Sequence, residues 1–559
     1  MKMWRIWSVF SFFVLCFVCI IVRLFYWQII SGNRLKAEAA AQHMMELTLP
    51  AERGPIITSD GYPLVMNKTA SLVYAEPKNI TNIPTYLRLV SQILEIPEAT
   101  LSAMVTQPNR VWVPIAHKVD VGKTELLTQA SISGIGFVKE PKRYYPEASM
   151  AAHLLGFVGL DQNGTDKGYF GLEGFYQREL QGKAGSITIE KDVSGTPILI
   201  GESVRVEPEN GSTFHLWLDR TIQHIVETKL KQGIEKYGAK EGSVVVMDPK
   251  TGGILAMASY PSYDPGKYKE YDKEFYKNPI VASSYEPGST FKALVLAAAI
   301  DAGVIKANTE FDEKGPTQIG EYTIRTWNNE YLGPITMTQV LEHSSNVGMV
   351  FAGRKLGKDK FIKFIKDIGF GTLTNIDLED EATPELRSDK SWKEIDLATA
   401  SFGQGIAATP LQMVRATAAI ANGGWLMEPR MVRSITYQDG KTNEIQPKKV
   451  RQLFSNATAG VVTEMMIAAV DNGEAKWAKP KGYRIAGKTG TAQIPVAGHY
   501  DATKTIASFV GFAPADNPRF VMLVTLREPT SSPWGSETAA PLFFNIAKDI
   551  FLYLGIPAQ

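Results

Sequence analysis

Tyr285-Glu286-Pro287-Gly288-Ser289-Thr290-Phe291-Lys292, running straight into Ala293-Leu294-Val295-Leu296-Ala297-Ala298-Ala299-Ile300, decides how the rest of the chain is read. Pro287 and Gly288 supply turn chemistry, and the apolar run that follows is rich in Ala and Leu, so the stretch predicts a buried helix beginning near Ser289. Residues three apart on a helix share a face, which lets Ser289 and Lys292 touch. A serine hydroxyl is a weak nucleophile without an adjacent base, and a neutral lysine can be that base. The helix N-terminus offers N–H groups to developing negative charge. These are parts of an acyl-transfer site, although Ser-x-x-Lys alone recurs about twice by chance in a chain of this composition.

Two further clusters lie downstream. In Leu341-Glu342-His343-Ser344-Ser345-Asn346-Val347-Gly348-Met349, a loop between helical segments brings Ser344 and Asn346 inward, the first suited to relaying a proton and the second to holding a substrate amide. By itself Ser-x-Asn is more often a cap or a turn. In Tyr483-Arg484-Ile485-Ala486-Gly487-Lys488-Thr489-Gly490-Thr491-Ala492-Gln493, small residues alternate with hydrogen-bonding ones, as on an edge strand beside a cleft. Gly487 and Gly490 allow a ligand close to the backbone, while Lys488, Thr489 and Thr491 offer a charge and two hydroxyls to a carboxylate. Ile506 to Phe512 and Phe520 to Leu526 read as two strands joined by a turn, and Glu241 to Met247 with Ile254 to Ser259 as a hairpin.

The N-terminus is a different kind of sequence. Ile6 to Val22 carries no charge, and apolar character resumes after Arg23 through Tyr26 and Trp27 to Ile30, close to the ~20 residues of a membrane helix. Lys2 and Arg5 precede it, which predicts one span with a cytoplasmic N-terminus. A cleaved signal peptide fits less well, because the apolar region is long and Ala37-Glu38-Ala39 lies far downstream. Leu35 to Met45 continues as a helix in this reading. From about Leu64 to Leu218 strand-like and helix-like pieces alternate irregularly, with Gly-rich loops such as Gly168 to Gly174. Glu173 and Arg53 read there as structural ion-pair residues rather than catalysts. Arg220 to Tyr237 reads as a helix at the boundary, giving an anchor over 1–30, a non-catalytic pedestal over 31–235 and a catalytic domain over 236–559.

Composition removes several function classes. With 59 basic and 58 acidic residues the net charge is +1, so nothing favours nucleic acid as a partner. Both cysteines, Cys16 and Cys19, fall in the apolar N-terminal run, which leaves no disulfide framework. The seven histidines are scattered without metal-ligand spacing, so no metal and no cofactor is expected.

Taken together and in this order, Ser-x-x-Lys at 289–292, Ser-x-Asn at 344–346 and Lys-Thr-Gly at 488–490 resemble the motif set of penicillin-binding proteins and serine β-lactamases. From Arg53 onward the chain is similar to class B, monofunctional, penicillin-binding proteins, including Gly171-Leu172-Glu173-Gly174 and Gly403-Gln404-Gly405 with Thr409-Pro410-Leu411-Gln412. One departure is Thr58-Ser59-Asp60-Gly61, where the family usually has Asp-Arg-Asn-Gly. The resemblance implies an α+β fold, with a five-stranded antiparallel sheet flanked by helices and an elongated pedestal outside the membrane. It also implies a D,D-transpeptidase acting on peptidoglycan stem peptides that end in D-Ala-D-Ala, and a target of β-lactam antibiotics. Ser289 is then the nucleophile, Lys292 its base, Ser344 the relay and Asn346 a substrate-amide ligand. Lys488, Thr489, Gly490 and Thr491 complete the pocket, and the N–H groups of Ser289 and Thr491 form the oxyanion hole. A glycan-polymerising membrane partner and a division or elongation complex are implied as well, with division favoured by Ala507 to Pro514 and Arg527-Glu528-Pro529. The rival readings are a β-lactamase or carboxypeptidase, which the long pedestal disfavours, and a non-catalytic sensor, which the three intact motifs disfavour.

Overall fold

The computed structural model describes residues 3–36, 44–107, 110–162, 164–190, 203–496 and 499–558. Met1–Glu52 with Gly182–Gly211 form one compact unit, and Arg53–Gln181 with Ser212–Gln559 form another.

In the first unit a helix over Met3–Phe25 continues as a π-helical turn over Tyr26–Ile30. The 28 residues are apolar enough to cross a membrane, and at 1.5 Å per residue they exceed the ~30 Å hydrocarbon core. The Arg23 guanidinium lies 5.1 Å from the centre of the Trp27 ring, an aromatic partner for a charge near the helix end. The expected helical continuation to Met45 is corrected at its end. Residues 37–43, with Ala37-Glu38-Ala39, lie outside the described residues, but Met44 and Met45 open a strand. Met44–Leu49 pairs antiparallel with Gly185–Glu190, which pairs with Ser203–Val206, and this ladder satisfies the backbone that a helix would otherwise have satisfied.

The second unit holds two large sheets. One runs in the order Thr442–Glu444, Val432–Thr436, Thr213–Leu216, Ile56–Ile57, Pro63–Ala75 and Val113–Asp120, with Ile135–Tyr144 also paired to Pro63–Ala75. Thr58 to Gly61, the stretch that departs from the family, makes the turn between Ile56–Ile57 and Pro63–Ala75. Thr58 N–H donates to Tyr62 O at 2.9 Å, the Thr58 hydroxyl bonds Asp60, and Gly61 takes φ 85°. Arg53 and Glu173 pair with each other: Arg53 Nε donates to Glu173 Oε2 at 2.5 Å, and Arg143 Nε donates to Oε1 at 2.7 Å. Gly168 to Gly174 is not a loop as read from sequence. It divides between the strand Asp166–Tyr169 and the helix Gly171–Phe175, and its glycines serve close packing. A Cβ on Gly168 would fall 1.9 Å from Glu173 O, and one on Gly174 would fall 2.1 Å from the Glu379 carboxylate.

The other sheet has five strands, β1 (Glu241–Met247), β2 (Ile254–Tyr260), β3 (Ala486–Val496), β4 (His499–Ala513) and β5 (Phe520–Arg527). They lie in the order β2-β1-β5-β4-β3, antiparallel throughout, so β3 is an edge as its composition predicts. Six helices matter to it: α1 (Arg220–Tyr237), α2 (Lys292–Asp301), α3 (Met337–Glu342), α4 (Asn346–Leu356), α5 (Pro410–Ala421) and α6 (Ala539–Tyr553). Alternation along β1 and β5 sends successive side chains into two cores. Val244, Val246, Met522 and Val524 pack with Val226, Leu230, Phe543 and Phe551 of α1 and α6. Val245, Met247, Val521 and Leu523 pack with α2 and α5. Helix α2 is buried nearly all round, from Ala293 to Ala299, which explains why its sequence shows no polar stripe.

Candidate active site

The helix expected near Ser289 begins there as a 3₁₀ turn, Gly288–Phe291, before α2 starts at Lys292. Gly288 has φ 54°, and its N–H donates to Gly403 O at 3.0 Å. The two backbones are so close that a Cβ on Gly403 would fall 2.1 Å from Gly288 O, so only glycine fits. Gly405 N–H donates to Glu286 Oε1 at 3.1 Å, and Tyr285 and Ala408 exchange backbone hydrogen bonds at 3.0 Å. The 403–408 segment thus straps the turn that presents Ser289. Thr409 and Gln412 form a capping box that starts α5 directly after the strap. Edge strand β3 closes the other side, where a Cβ on Gly490 would fall 2.8 Å from Thr290 Cγ2 and 3.3 Å from Pro287 O.

Lys292 is fully buried. Its Nζ donates to Ser344 O at 2.5 Å and to Asn346 Oδ1 at 2.8 Å, and it lies 3.2 Å from Ser344 Oγ. Ser344 Oγ is in turn 3.1 Å from Ser289 Oγ. The direct Ser289–Lys292 contact expected from helical spacing is therefore replaced, among the described residues, by a bridge through Ser344. Lys292 Nζ is drawn instead to Ser344 O and Asn346 Oδ1, which take its N–H groups. Ser344 sits between α3 and α4 with φ 56°, a left-handed conformation that costs a non-glycine residue energy and marks a constrained site. Ser345 holds the turn from below: its Oγ accepts from Gly348 N–H as the N-cap of α4 and donates to Glu313. Asn346 Nδ2 donates to Arg325 O at 3.0 Å, leaving one amide N–H and one oxygen lone pair for a ligand.

Burial drives the Lys292 amine well below its ordinary value, and the positive charge of Lys488 pushes in the same direction against the opposing pull of Glu474 and Glu313. Burial also lowers Lys488, to about 8, with Glu474 again opposing. Lys488 Nζ donates to Thr489 Oγ1 at 3.1 Å and Thr489 O at 3.2 Å. Thr491 Oγ1 accepts from Gly535 N–H at 3.0 Å, so its hydroxyl hydrogen remains to donate to a ligand. The three clusters read from sequence thus meet: Ser289, Lys292, Ser344 and Asn346 form one hydrogen-bonded chain, and Gly490 and Thr491 flank it on β3. Sequence reasoning missed Glu313, Arg325 and Gly535, which act on the site through a buried carboxylate, a backbone carbonyl and a backbone N–H. None carries a spacing signal. Among the described residues no His/Cys/Asp/Glu group is arranged to hold a metal.

Known proteins share this fold and much of this sequence. The penicillin binding protein transpeptidase domain matches residues 242–550, and the penicillin-binding protein dimerisation domain matches residues 48–216. Stage V sporulation protein D of Bacillus subtilis (strain 168) is 34% identical over 559 residues, covering 99% of this chain and 86% of that protein. Probable peptidoglycan D,D-transpeptidase PenA of Neisseria gonorrhoeae is 31% identical, covering 97% of this chain and 91% of that protein. The crystal structure of penicillin binding protein 3 from Mycobacterium tuberculosis complexed with aztreonam matches with a TM-score of 0.72 at 28% sequence identity, covering 92% of this chain and 98% of that one.

Proposed function

Because this chain belongs to the penicillin-binding protein transpeptidase family, we propose that Ser289 is its acylated nucleophile and that Lys292 and Ser344 move the proton that activates it. The chain is a class B penicillin-binding protein and a peptidoglycan D,D-transpeptidase, with a domain that binds β-lactams and peptidoglycan.

The observation that carries the assignment is the unbroken path from Ser289 Oγ through Ser344 Oγ to Lys292 Nζ. A neutral amine has two N–H groups and one lone pair. With its N–H groups on Ser344 O and Asn346 Oδ1, the lone pair faces Ser344 Oγ. The hydroxyl of Ser344 then donates to Nζ and accepts from Ser289. As Ser289 Oγ attacks the carbonyl of the penultimate D-Ala, its proton passes along this path. The peptide C–N bond breaks, the terminal D-Ala leaves with the proton, and an ester on Ser289 remains. The N–H groups of Ser289 and Thr491 hold the oxyanion. Asn346 holds the donor's amide, and Lys488, Thr489 and Thr491, beside Gly490, hold its terminal carboxylate. An amine of a neighbouring stem peptide resolves the ester. Mass spectrometry of the penicillin-labelled protein should place the adduct on Ser289, and an adduct elsewhere, or undiminished labelling of Ser289→Ala, overturns the assignment.

The N-terminal helix fits a single-pass membrane anchor. With Lys2 and Arg5 ahead of it, the positive-inside rule favours a cytoplasmic N-terminus and catalysis outside. We keep the division into anchor 1–30, pedestal 31–235 and catalytic domain 236–559, with α1 crossing the last boundary and its apolar face in the catalytic core. The chain works at the division septum with a glycan-polymerising membrane partner and the division complex. The sporulation protein similar over 99% of the chain favours a second reading, the same chemistry in a wall made during sporulation.

A further inference from the structure

A cavity of about 400 Å³ opens beside the Ser344–Asn346 turn, with Ser345 in its wall. Its lining is acidic: Glu313, Glu330, Glu342 and Glu474 face it, against Lys476 and His343. Three of these carboxylates have work within the protein. Glu313 accepts from Ser345 Oγ and Leu332 N–H, Glu330 from Asn328 Nδ2, and Glu342 from Asn472 Nδ2. Glu474 takes no hydrogen bond or ion pair among the described residues, yet its negative charge acts on both Lys292 and Lys488. A carboxylate free to bind a cation thus lies within electrostatic reach of the reacting centre.

Two ring faces complete the lining. Trp477 is 65% exposed and Trp327 is 43% exposed, so both are open to a ligand. Trp327 packs edge-on against Trp534 at 5.2 Å, and Trp534 precedes Gly535, the donor to Thr491 Oγ1. The cavity is therefore tied to the catalytic cleft on two sides, through Ser345 next to Asn346 and through Trp327 next to the β3 edge. A carboxylate and two exposed indole rings lining one cavity suit an ammonium group.

We propose that this cavity receives the amine-bearing end of the acceptor stem peptide, with Glu474 holding its ammonium until the ester on Ser289 is ready to react. The proposal rests on the transpeptidase reading above and adds the second substrate's site. In the step it serves, R–NH₃⁺ gives up one proton to solvent. The freed nitrogen lone pair then forms an N–C bond to the acyl carbon, and the C–Oγ bond to Ser289 breaks. The second proton lost by nitrogen returns to Ser289 Oγ through Ser344, leaving an amide cross-link and the free enzyme. Water competes for the same ester, so a site that concentrates the amine decides between cross-linking and hydrolysis.

Removing Glu474 also changes the field at Lys292, so the rate of acylation is the wrong measurement. The ratio of aminolysis to hydrolysis is the right one, because both products come from one acyl-enzyme. Full-length protein in detergent micelles would be given a thioester donor together with a short peptide carrying one primary amine. Parallel reactions would use hydroxylamine, which is uncharged near neutral pH, as the nucleophile. Glu474→Gln should lower the ratio for the peptide amine by about tenfold or more and leave that for hydroxylamine in place, with Glu474→Asp recovering part of the loss. An unchanged ratio for the peptide amine, or an equal fall for both nucleophiles, overturns the proposal. If wild-type protein is acylated by neither the thioester nor penicillin, the transpeptidase reading fails instead.

Discussion

Ser344 Oγ lies 3.1 Å from Ser289 Oγ, on a residue whose own backbone is left-handed, with φ 56°. Relay and strain therefore meet in one residue, the first in its side chain and the second in its backbone, and two substitutions separate them. Ser344→Ala and Ser344→Gly both remove the hydroxyl, so acylation by penicillin should fall in both by a similar factor, about two to four orders of magnitude. Only glycine relieves the left-handed strain, about 1–2 kcal/mol against its own entropic cost of about 0.5–1 kcal/mol. Ser344→Gly should therefore melt above Ser344→Ala while acylating no faster. Faster acylation by the glycine variant would mean that geometry rather than the hydroxyl carries the role.

Lys292 should work as a neutral amine. Its amine is held well below the ordinary lysine value by burial first and by Lys488 second. Protonation removes the lone pair, so acylation should fall as pH drops through the lysine's depressed pKa. Lys292→Arg, always charged, should be nearly inactive at every pH. Lys488→Met removes the cation that disfavours a charged Lys292, so the acid limb of the pH profile should move to higher pH. Stopped-flow acylation with a chromogenic β-lactam measures all three.

The three motifs were legible because each is local chemistry: a turn before a helix, a loop between helices and an edge strand with small residues. The edge position of β3 and the neighbouring pairs β1–β2 and β4–β5 followed from the same kind of local pattern. The lack of a direct Ser289–Lys292 hydrogen bond was not legible from spacing, because Lys292 Nζ is drawn to Ser344 O and Asn346 Oδ1, 52 and 54 positions away in the chain. The Met44–Leu49 strand was hidden for a similar reason, since its partner Gly185–Glu190 is distant in sequence. Glu474 follows an ordinary helix end, and only the fold brings its charge to Lys292 and Lys488.

Glu173 should be a stability residue and an acid-sensitive one. Burial pushes its carboxyl up, but Arg143 and Arg53 together outweigh burial and hold it below the usual carboxylate range. Its folded pKa thus lies below its unfolded value of about 4.3, so the unfolded chain binds more protons in the interval between them. The stabilisation is present above that interval and is lost as pH falls through the folded pKa. Glu173→Gln leaves two buried guanidinium groups uncompensated and should cost about 3–5 kcal/mol in denaturant unfolding, with less acid sensitivity remaining. An unchanged midpoint would show that the ion cluster contributes nothing net.

Depletion of the protein in its native cells should give filaments with blocked septa if it serves division. Round, swollen cells would indicate elongation, and normal growth with defective spores would favour the sporulation reading.

Thr491 should discriminate donors by their terminal carboxylate. Its Oγ1 is already an acceptor for Gly535 N–H, which directs the hydroxyl hydrogen to whatever lies along the β3 edge. A carboxylate there takes a hydrogen bond worth about 1.5–3 kcal/mol, whereas a C-terminal amide presents a neutral acceptor worth about half as much. Thr491→Val removes the hydroxyl and also strands Gly535 N–H, a loss common to both kinds of donor. The comparison therefore has to be a ratio: free-acid donors should lose about tenfold more acylation rate than matched amides, while Thr491→Ser should keep the preference. Because the Thr491 backbone N–H is untouched by either change, the oxyanion contribution stays constant across the series. Equal losses for acid and amide donors would leave Thr491 a structural partner of Gly535 and move carboxylate recognition to Lys488 and Thr489.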